Sequence, residues 1–275
     1  MPELPEVEVT ARSLDGALRG ARVEDVRVHE RRLRWPVPPR IAGAMRGERL
    51  EAVGRRGKYL LWRFAAGTAL SHLGMSGTWR LVPRTGAAPA RHDHVEIGFG
   101  AQVAVFNDPR RFGALLWHPA GHGDVLNHPL LAGLGIEPFD PAFDGASLRR
   151  SLRGLRAPIK QVLLAGRAVV GVGNIYATES LFEARIHPAA PAGSLGAARC
   201  DRLAASIQGV LGRAISAGGS TLRDFSGVDG IAGAYTVQAL AYGREGQPCP
   251  RCARPLRRIV QGARATYYCP GCQRR

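Results

Sequence analysis

Long apolar runs are missing. The longest uninterrupted ones in the 275-residue sequence are short pieces such as Tyr59–Trp62 and Ala114–Trp117, far below the ~20 residues that a membrane span needs, and no basic-then-apolar leader opens it. Neither a membrane-embedded nor a secreted protein is expected. Lysine is nearly absent: Lys58 and Lys160 are the only two among 38 basic residues, and acids number 22. The resulting formal charge of +16 points to a polyanion partner, most often nucleic acid. A skewed, arginine-rich composition contributes to this excess without removing the positive field.

Cysteine is limited to five residues, four of them in Cys249-Pro-Arg-Cys252 and Cys269-Pro-Gly-Cys272 with sixteen residues between the pairs. That spacing fits a four-cysteine zinc ribbon, in which each C-x-x-C turns two sulfurs inward on a tight knuckle. Ile259-Val260 and Thr266-Tyr267-Tyr268, separated by a turn around Gln261-Gly262-Ala263, supply the hairpin between the knuckles. Two disulfides or two redox dithiols are the alternatives, but no secretory signal favours the first and no βαβ pattern surrounds the second. Cys200, on an amphipathic stretch, reads as a plain buried or half-buried thiol. From Gly243 onward eight arginines face one acid, Glu245, so a phosphate-contacting surface is expected on a module too small to own much core.

Val7, Ala11, Leu14 and Leu18 share one helical face over Glu6–Leu18, with Pro5 suited to the first turn and Gly20 to the stop. Alternating runs follow at Val23–Val28, Tyr59–Phe64, Ala69–Leu73, Thr78–Val82, Val95–Phe99, Gln102–Phe106 and Ala114–Trp117, which suggests an antiparallel sandwich or barrel. From about Asp124 the pattern turns helical, with Ser147–Leu152, Pro158–Ala165, Asn174–Ala184 and Arg199–Ala217 as candidates. Strands first and helices afterwards make this an α+β chain of two domains. Pro119–Gly123 with Ile136–Gly145 reads as an interdomain linker region, and Gly218–Ala234 as a long Gly-rich loop.

The sequence opens Met1-Pro2-Glu3-Leu4-Pro5-Glu6. Methionine before a small residue is commonly removed, and its loss would expose the secondary amine of Pro2 beside two carboxylates. An α-amine has a pKa of about 7.7–8.0, so part of it is neutral at pH 7 and competent to attack a sugar C1′, while a neighbouring carboxylic acid protonates the ring oxygen or the leaving base. Taken alone, these residues read more readily as a frayed start, and only the rest of the chain overturns that.

Met1–Glu8, Gly57-Lys58-Tyr59-Leu60, Leu70-Ser71-His72-Leu73-Gly74-Met75-Ser76-Gly77, Asn107-Asp108-Pro109-Arg110-Arg111-Phe112-Gly113, Gly171-Val172-Gly173-Asn174-Ile175-Tyr176-Ala177, Gly218-Gly219-Ser220-Thr221-Leu222 and the four-cysteine ribbon together resemble the formamidopyrimidine-DNA glycosylases, in family order over essentially the whole chain. Leu4, where the endonuclease VIII branch usually has Gly, resembles the oxidised-purine branch. The resemblance implies an N-terminal β-sandwich with a leading helix over 1–120, a linker at 121–145, a helix-two-turn-helix domain over 146–242 with a lesion-capping loop at 218–234, and the zinc ribbon at 243–275. It also implies a bifunctional base-excision enzyme, a glycosylase and lyase that flips 8-oxoguanine or a formamidopyrimidine out of duplex DNA and cuts the strand by β,δ-elimination. Its partner would be duplex DNA with the lesion preferably opposite cytosine. One structural Zn2+, a monomeric state and a cytoplasmic, nucleoid-associated setting complete the expectation.

Residue roles follow from the same resemblance. Pro2 matches the nucleophile, Glu3 the general acid, Lys58 a proton-transfer and phosphate-contact lysine, and Arg264 an arginine near the phosphate, read physically as an electrostatic clamp. Met75, Arg110 and Phe112 match the group that fills the stack when the lesion leaves; without the resemblance, Met75 and Phe112 read as core. His72, His92, Arg111, Lys160 and Asn174 match DNA contacts, and Glu6, Ser220, Thr221 and Arg223 the lesion pocket. Gly171-x-Gly173 is no dinucleotide fingerprint, since its third glycine position holds Tyr176. Two departures stand out: Ala165-Gly166-Arg167 occupies the place of a family Asp-x-Lys, and Ser226-Gly227-Val228-Asp229-Gly230 makes the capping loop small and Gly-rich. A catalytically silent DNA-binding protein of the same fold, or an RNA-binding zinc-ribbon protein, are the competing readings.

Overall fold

The computed structural model describes residues 2–86, 88–220 and 239–274. Among these the chain forms two compact units, residues 2–132 with 217–220 and residues 133–216 with 239–274.

The first unit opens with α1 (Leu4–Leu18), which starts in a capping box between Glu3 and Glu6. Leu4, Val7, Ala11, Leu14 and Leu18 are buried along it, one apolar stripe at helical spacing. Each such fully buried side chain contributes about 1.5–3 kcal/mol, more than the helix's intrinsic propensity. Eight strands follow: β1 (Asp25–Val28), β2 (Ala52–Arg56), β3 (Tyr59–Phe64), β4 (Gly67–His72), β5 (Thr78–Pro83), β6 (Asp93–Phe99), β7 (Gln102–Asn107) and β8 (Ala114–Pro119), with a short helix α2 (Ile41–Met45) between β1 and β2. They form two four-stranded antiparallel sheets, ordered β1-β6-β7-β5 and β2-β3-β4-β8. One core is shared by α1 and both sheets. At its centre Trp62 of β3 meets Trp79 of β5 at 4.9 Å, and the Trp79 indole N–H donates to Ser71 Oγ at 2.8 Å.

The alternating runs locate seven of these strands. β2 and α2 escape that reading for a physical reason. Ala-Val-Gly-Arg-Arg has no apolar alternation; β2 is held by its full register with β3 and by the Val53 N–H, which donates to Asp15 Oδ1 at 2.7 Å. α2 is too short to show a period.

The second unit contains α3 (Gly145–Leu152), α4 (Ile159–Ala165), α5 (Asn174–Glu183), α6 (Ala197–Ser216) and a hairpin of β9 (Arg257–Gln261) with β10 (Arg264–Tyr268). Gly166 caps α4, which is what the Ala165-Gly166-Arg167 departure does locally. The cysteine knuckles do not form a core of their own. Cys249, Leu256 and Cys269 pack with Phe182 of α5 and Ala241 in one cluster.

Glu179 of α5, which the sequence reading did not single out, joins the same parts. Its carboxylate, 1% exposed, accepts the backbone N–H groups of Leu240 at 2.8 Å, Ala241 at 3.0 Å and Tyr242 at 2.7 Å. Burial pushes this carboxyl above the usual range, and the three N–H donors oppose that rise. Glu179→Ala strands three donors, each costing about 1–3 kcal/mol when buried without a partner. A loss of about 3–5 kcal/mol is expected, the range of a broken buried network. Urea unfolding measures it, and a loss under about 1 kcal/mol would show that the segment is held elsewhere.

Candidate functional site

The first unit gathers its chemistry at one end of the β2-β3-β4-β8 sheet. α1 runs alongside β2, with Asp15 at Val53 and Glu8 at Arg55, whose guanidinium donates to Glu8 Oε2 at 2.8 Å. Burial pushes the Glu8 carboxyl up, but the Arg55 and Arg12 guanidiniums hold it below its ordinary value. Moving along β2 towards the Gly57-Lys58 turn is therefore moving towards the start of α1. Pro2, Glu3 and Glu6 are buried there, the last two at 2% and 0% exposure.

Glu6 is the tie of that corner. Oε2 accepts the Glu3 N–H at 2.7 Å, and Oε1 accepts Ser220 N–H at 2.7 Å and Ser220 O–H at 2.8 Å. One carboxylate thus fixes the helix start and the 217–220 segment together. Gly219 has φ +86, and a Cβ on it would lie 3.2 Å from Glu6 Oε1, so only glycine lets the segment come this close without strain.

Lys58 sits in the two-residue turn joining β2 and β3, and the register continues Tyr59↔His72↔Ala114 across β3, β4 and β8. The loops that leave the sheet beyond that row carry Met75 and Arg110–Phe112. Met75 is 37% and Phe112 43% exposed, so neither is core. The Arg110 guanidinium lies 4.9 Å over the Phe112 ring, and Arg111 reaches Glu30 at 3.3 Å. His92 and Arg111 adopt positive φ, 72° and 56°, a conformation uncommon outside glycine.

Asp108, fully buried, welds the two loops. Oδ1 accepts Ser76 O–H at 2.7 Å and Arg110 N–H at 3.2 Å, and Oδ2 accepts Gly113 N–H at 2.7 Å. Gly74, at φ +63, packs so tightly on the Phe112–Gly113 backbone that a Cβ would fall 2.4 Å from Phe112 C. The exposed apolar tips are therefore mounted on a rigid base.

His72 is mostly withdrawn from water, 4.7 Å from the Tyr59 ring. Burial first, then the positive charges of Lys58 and Arg34, push its pKa down to about 4. Its Nδ1 accepts the Gly74 N–H at 2.9 Å, so the neutral ring carries its proton on Nε2, and any contact it makes at pH 7 is a neutral donor's. The unfolded state binds a proton as pH falls through about 6.5 and the folded state only near 4. His72 therefore contributes stability above pH 6.5 that is lost on acidification towards 4, at most about 3 kcal/mol. Urea midpoints of the wild type and His72→Gln between pH 7 and 4 should converge or cross in the variant's favour; parallel lines would refute the neutral histidine.

In the second unit Asn174 opens α5, and its Nδ2 donates to the Ala265 carbonyl at 3.1 Å. Lys160 of α4 donates from Nζ to the same carbonyl at 3.2 Å and to Thr266 Oγ1 at 2.8 Å. Both side chains hold β10 at the residue after Arg264, whose guanidinium stays exposed. The turn between β9 and β10 is Gly262-Ala263, both at positive φ, the backbone of a two-residue hairpin turn.

The four knuckle sulfurs lie within 4.8 Å of one another. Cys249 Sγ is 3.9 Å from Cys272 Sγ and Cys252 Sγ 3.4 Å from Cys269 Sγ, close to the edge of about 3.8 Å of a tetrahedron with metal–sulfur bonds near 2.3 Å. The Arg251 and Cys272 N–H groups donate to Cys249 and Cys269 sulfurs, both at 3.4 Å. A single convergent S4 set fits zinc, not two separate dithiols. All five cysteines are free thiols, and Cys200 is buried alone on α6.

Three family models match this chain in order: the formamidopyrimidine-DNA glycosylase N-terminal domain over residues 1–115, the formamidopyrimidine-DNA glycosylase H2TH domain over 134–226, and a zinc finger found in FPG and IleRS over 246–275. A formamidopyrimidine-DNA glycosylase of Bordetella pertussis is 55% identical over 276 residues, covering 100% of both chains. The chain belongs to the formamidopyrimidine-DNA glycosylase family. Among solved structures, the MutM (Fpg) protein of Thermus thermophilus is similar at TM-score 0.88 and 40% identity, over 99% of this chain and 98% of that one. A wild-type Lactococcus lactis Fpg in complex with N7-benzyl-Fapy-dG DNA is similar at TM-score 0.91 and 31% identity, over 100% of each.

Membership in this DNA glycosylase family gives the buried Pro2-Glu3-Glu6 corner and the exposed Met75 and Phe112 their context. Lys160, taken from the resemblance as a DNA contact, is 0% exposed, and its ammonium donates to the Ala265 carbonyl and Thr266 Oγ1, which anchors β10. Thr221 and Arg223 lie outside the described residues, as does the 226–230 stretch. Asp108 and Glu179 were missed because their donors are mostly backbone N–H groups, nearby for Asp108 and some sixty positions away for Glu179, which leave no pattern of side-chain types. His92 is half-buried at the edge of the β6-β7 pair, its carbonyl accepting the Asp108 N–H at 3.1 Å.

Proposed function

We propose that this chain excises oxidised purines, 8-oxoguanine and formamidopyrimidines, from duplex DNA and then cuts the strand as a lyase. After Met1 is lost, the Pro2 nitrogen lone pair attacks C1′, the glycosidic C–N bond breaks and the base departs protonated. The nitrogen gives up its own proton, the C1′–O4′ bond opens with O4′ taking a proton, and Glu3 supplies the proton to the ring oxygen or the leaving base. The resulting iminium makes the C2′ proton acidic; its removal expels the 3′ phosphate, and a second elimination expels the 5′ phosphate. Lys58, at the turn beside the helix start, takes a phosphate or proton-transfer role. Arg264, guanidinium outward, clamps a phosphate, and Asn174, His72, His92 and Arg111 add backbone contacts. Met75 and Phe112 fill the void left by the flipped base, and Arg110 faces the orphaned base, preferably cytosine. Glu6 and Ser220 shape the pocket, with Thr221 and Arg223 as further candidates.

The observation that carries this reading is the Glu6 carboxylate, which fixes a buried Pro2-Glu3 start and Ser220 in one corner. Cys249, Cys252, Cys269 and Cys272 would hold one structural zinc, which fastens the β9-β10 hairpin when bound. A monomer acting in the bacterial cytoplasm on the nucleoid completes the proposal. No helix among the described residues is long and apolar enough to cross a membrane.

Borohydride trapping on a duplex with 8-oxoguanine opposite cytosine, followed by mass spectrometry of the N-terminal peptide, tests it. A cross-link on Met-free Pro2 is expected. No cross-link despite tight binding and removed Met1 favours the silent DNA-binding protein, and a cross-link on Lys58 replaces the nucleophile.

A further inference from the structure

The residues proposed to meet the lesion leave one strongly basic surface of the second unit without a role. Arg149, Arg150 and Arg153, on and just after the last turn of α3, line a cavity of about 640 Å³ whose other wall is the backbone of Gly193–Gly196 ahead of α6. All three arginines are exposed. Among the described residues no carboxylate lies within ion-pairing distance of them. The nearby acids, Asp144 and Asp201, belong to the other end of α3: Asp144 is its N-cap, accepting the Ser147 N–H at 2.7 Å, and Asp201 lies against Gly145.

The composition of both walls is one-sided. No Asp or Glu occurs from Gly145 to Thr178, a stretch with five arginines and one lysine, and none from Ala184 to Cys200. Basic residues in a last turn complement the helix dipole, which accounts for Arg149 and Arg150 being tolerated. It does not account for an opposite wall equally free of acid, nor for Arg153 and Arg156 beyond the helix end.

We propose that this groove binds the phosphate backbone of a second segment of duplex DNA, apart from the segment that carries the lesion; the proposal rests on duplex DNA being the substrate. Arg149 and Arg153 are four residues apart, a rise of about 6 Å along a helix, near two phosphate steps of about 3.4 Å along one strand. Unpaired guanidiniums present the planar donor fork that phosphate oxygens accept. No aromatic side chain lines the groove, so it lacks the stacking platform of a single-strand site. The groove is also separate from the hairpin surface. α6 is packed by α3 on one flank and by α5 on another, and it is α5 that carries Asn174 and packs on β10 with Arg264.

The test compares wild type with a triple variant, Arg149→Gln, Arg150→Gln and Arg153→Gln, none of which is placed in the catalytic corner. On a short duplex centred on the lesion, excision and borohydride trapping should match the wild type; failure there strikes the proposed function or the fold, not the groove. On undamaged DNA several times longer, affinity at low salt should fall, and the slope of log K against log salt should flatten by about 0.9 for each phosphate no longer neutralised, up to about 2.7. Transfer from lesion to lesion along one long molecule should fall with it. Unchanged slope and transfer would overturn the proposal. So would loss of poly-glutamate binding with long-DNA binding intact, since the groove would then take an acidic polypeptide.

Discussion

Glu3→Gln should lower base excision by about 10²–10⁴-fold, the usual contribution of a positioned general acid, and leave borohydride trapping on a preformed abasic site close to wild type. The two readouts separate because the amide keeps size and hydrogen-bonding capacity but has no proton to give. With the base already gone, only the Pro2 amine is needed to form the iminium. The geometry makes the substitution mild for the fold: Glu6 accepts from Glu3 N–H and from Ser220 whatever the Glu3 side chain is, and the glutamine amide oxygen can still accept the Glu6 N–H of the capping box. Equal loss of excision and trapping would mean that Glu3 positions the amine instead of supplying a proton. Undiminished excision would remove Glu3 from the chemistry. Glu6→Gln reads the other way, because one oxygen becomes a donor facing the Glu3 N–H or Ser220, so both activities should fall together with stability.

Elements with an internal period were legible in the sequence, and those defined by partners were not. The α1 stripe and the alternating strands announce themselves because burial on one face forces apolar spacing. The cysteine pairs do so because a tetrahedral ion constrains spacing, and all four sulfurs meet as that spacing requires. β2 has no such signature; its position follows from a register with β3 that is visible only after folding. The burial of Lys160 was hidden for the same reason. A lysine in an arginine-rich chain looks like a surface cation until α4 and β10 close around it, and its burial depends on Ala265 and Thr266 more than a hundred positions away. Asp108 and Glu179 were silent because their partners are mostly backbone N–H groups, identical in every sequence. Met75 and Phe112 show the converse: apolar identity suggested core, and only the exposed loops resting on Asp108 show that they face outward.

Stripping the metal from the four cysteines should disorder the β9-β10 hairpin, lower DNA affinity by orders of magnitude, and leave α3 to α6 folded. The apolar cluster around the knuckles consists of Cys249, Leu256 and Cys269 with Phe182 and Ala241, and at about 1.5–3 kcal/mol for each large side chain it supplies only a few kcal/mol. Thiolate binding of structural zinc in such modules supplies about 10–16 kcal/mol, so the ion outweighs the cluster by a wide margin. Glu179 of α5 holds the 240–242 segment ahead of the knuckles, whereas Lys160 and Asn174 bond to β10 itself, so the loss should stay within the hairpin and the side chains that reach it. Amide exchange after chelation reads this directly: protection should vanish across 257–268 and persist in α5 and α6, with full recovery when zinc is returned. Arg264 and the Ala265 carbonyl lie on the strand that is lost, so DNA affinity follows the hairpin without any direct contact from the metal. Persistent protection of the hairpin in metal-free protein, with unchanged DNA binding, would show that the buried lysine and Glu179 suffice and that the ion is dispensable.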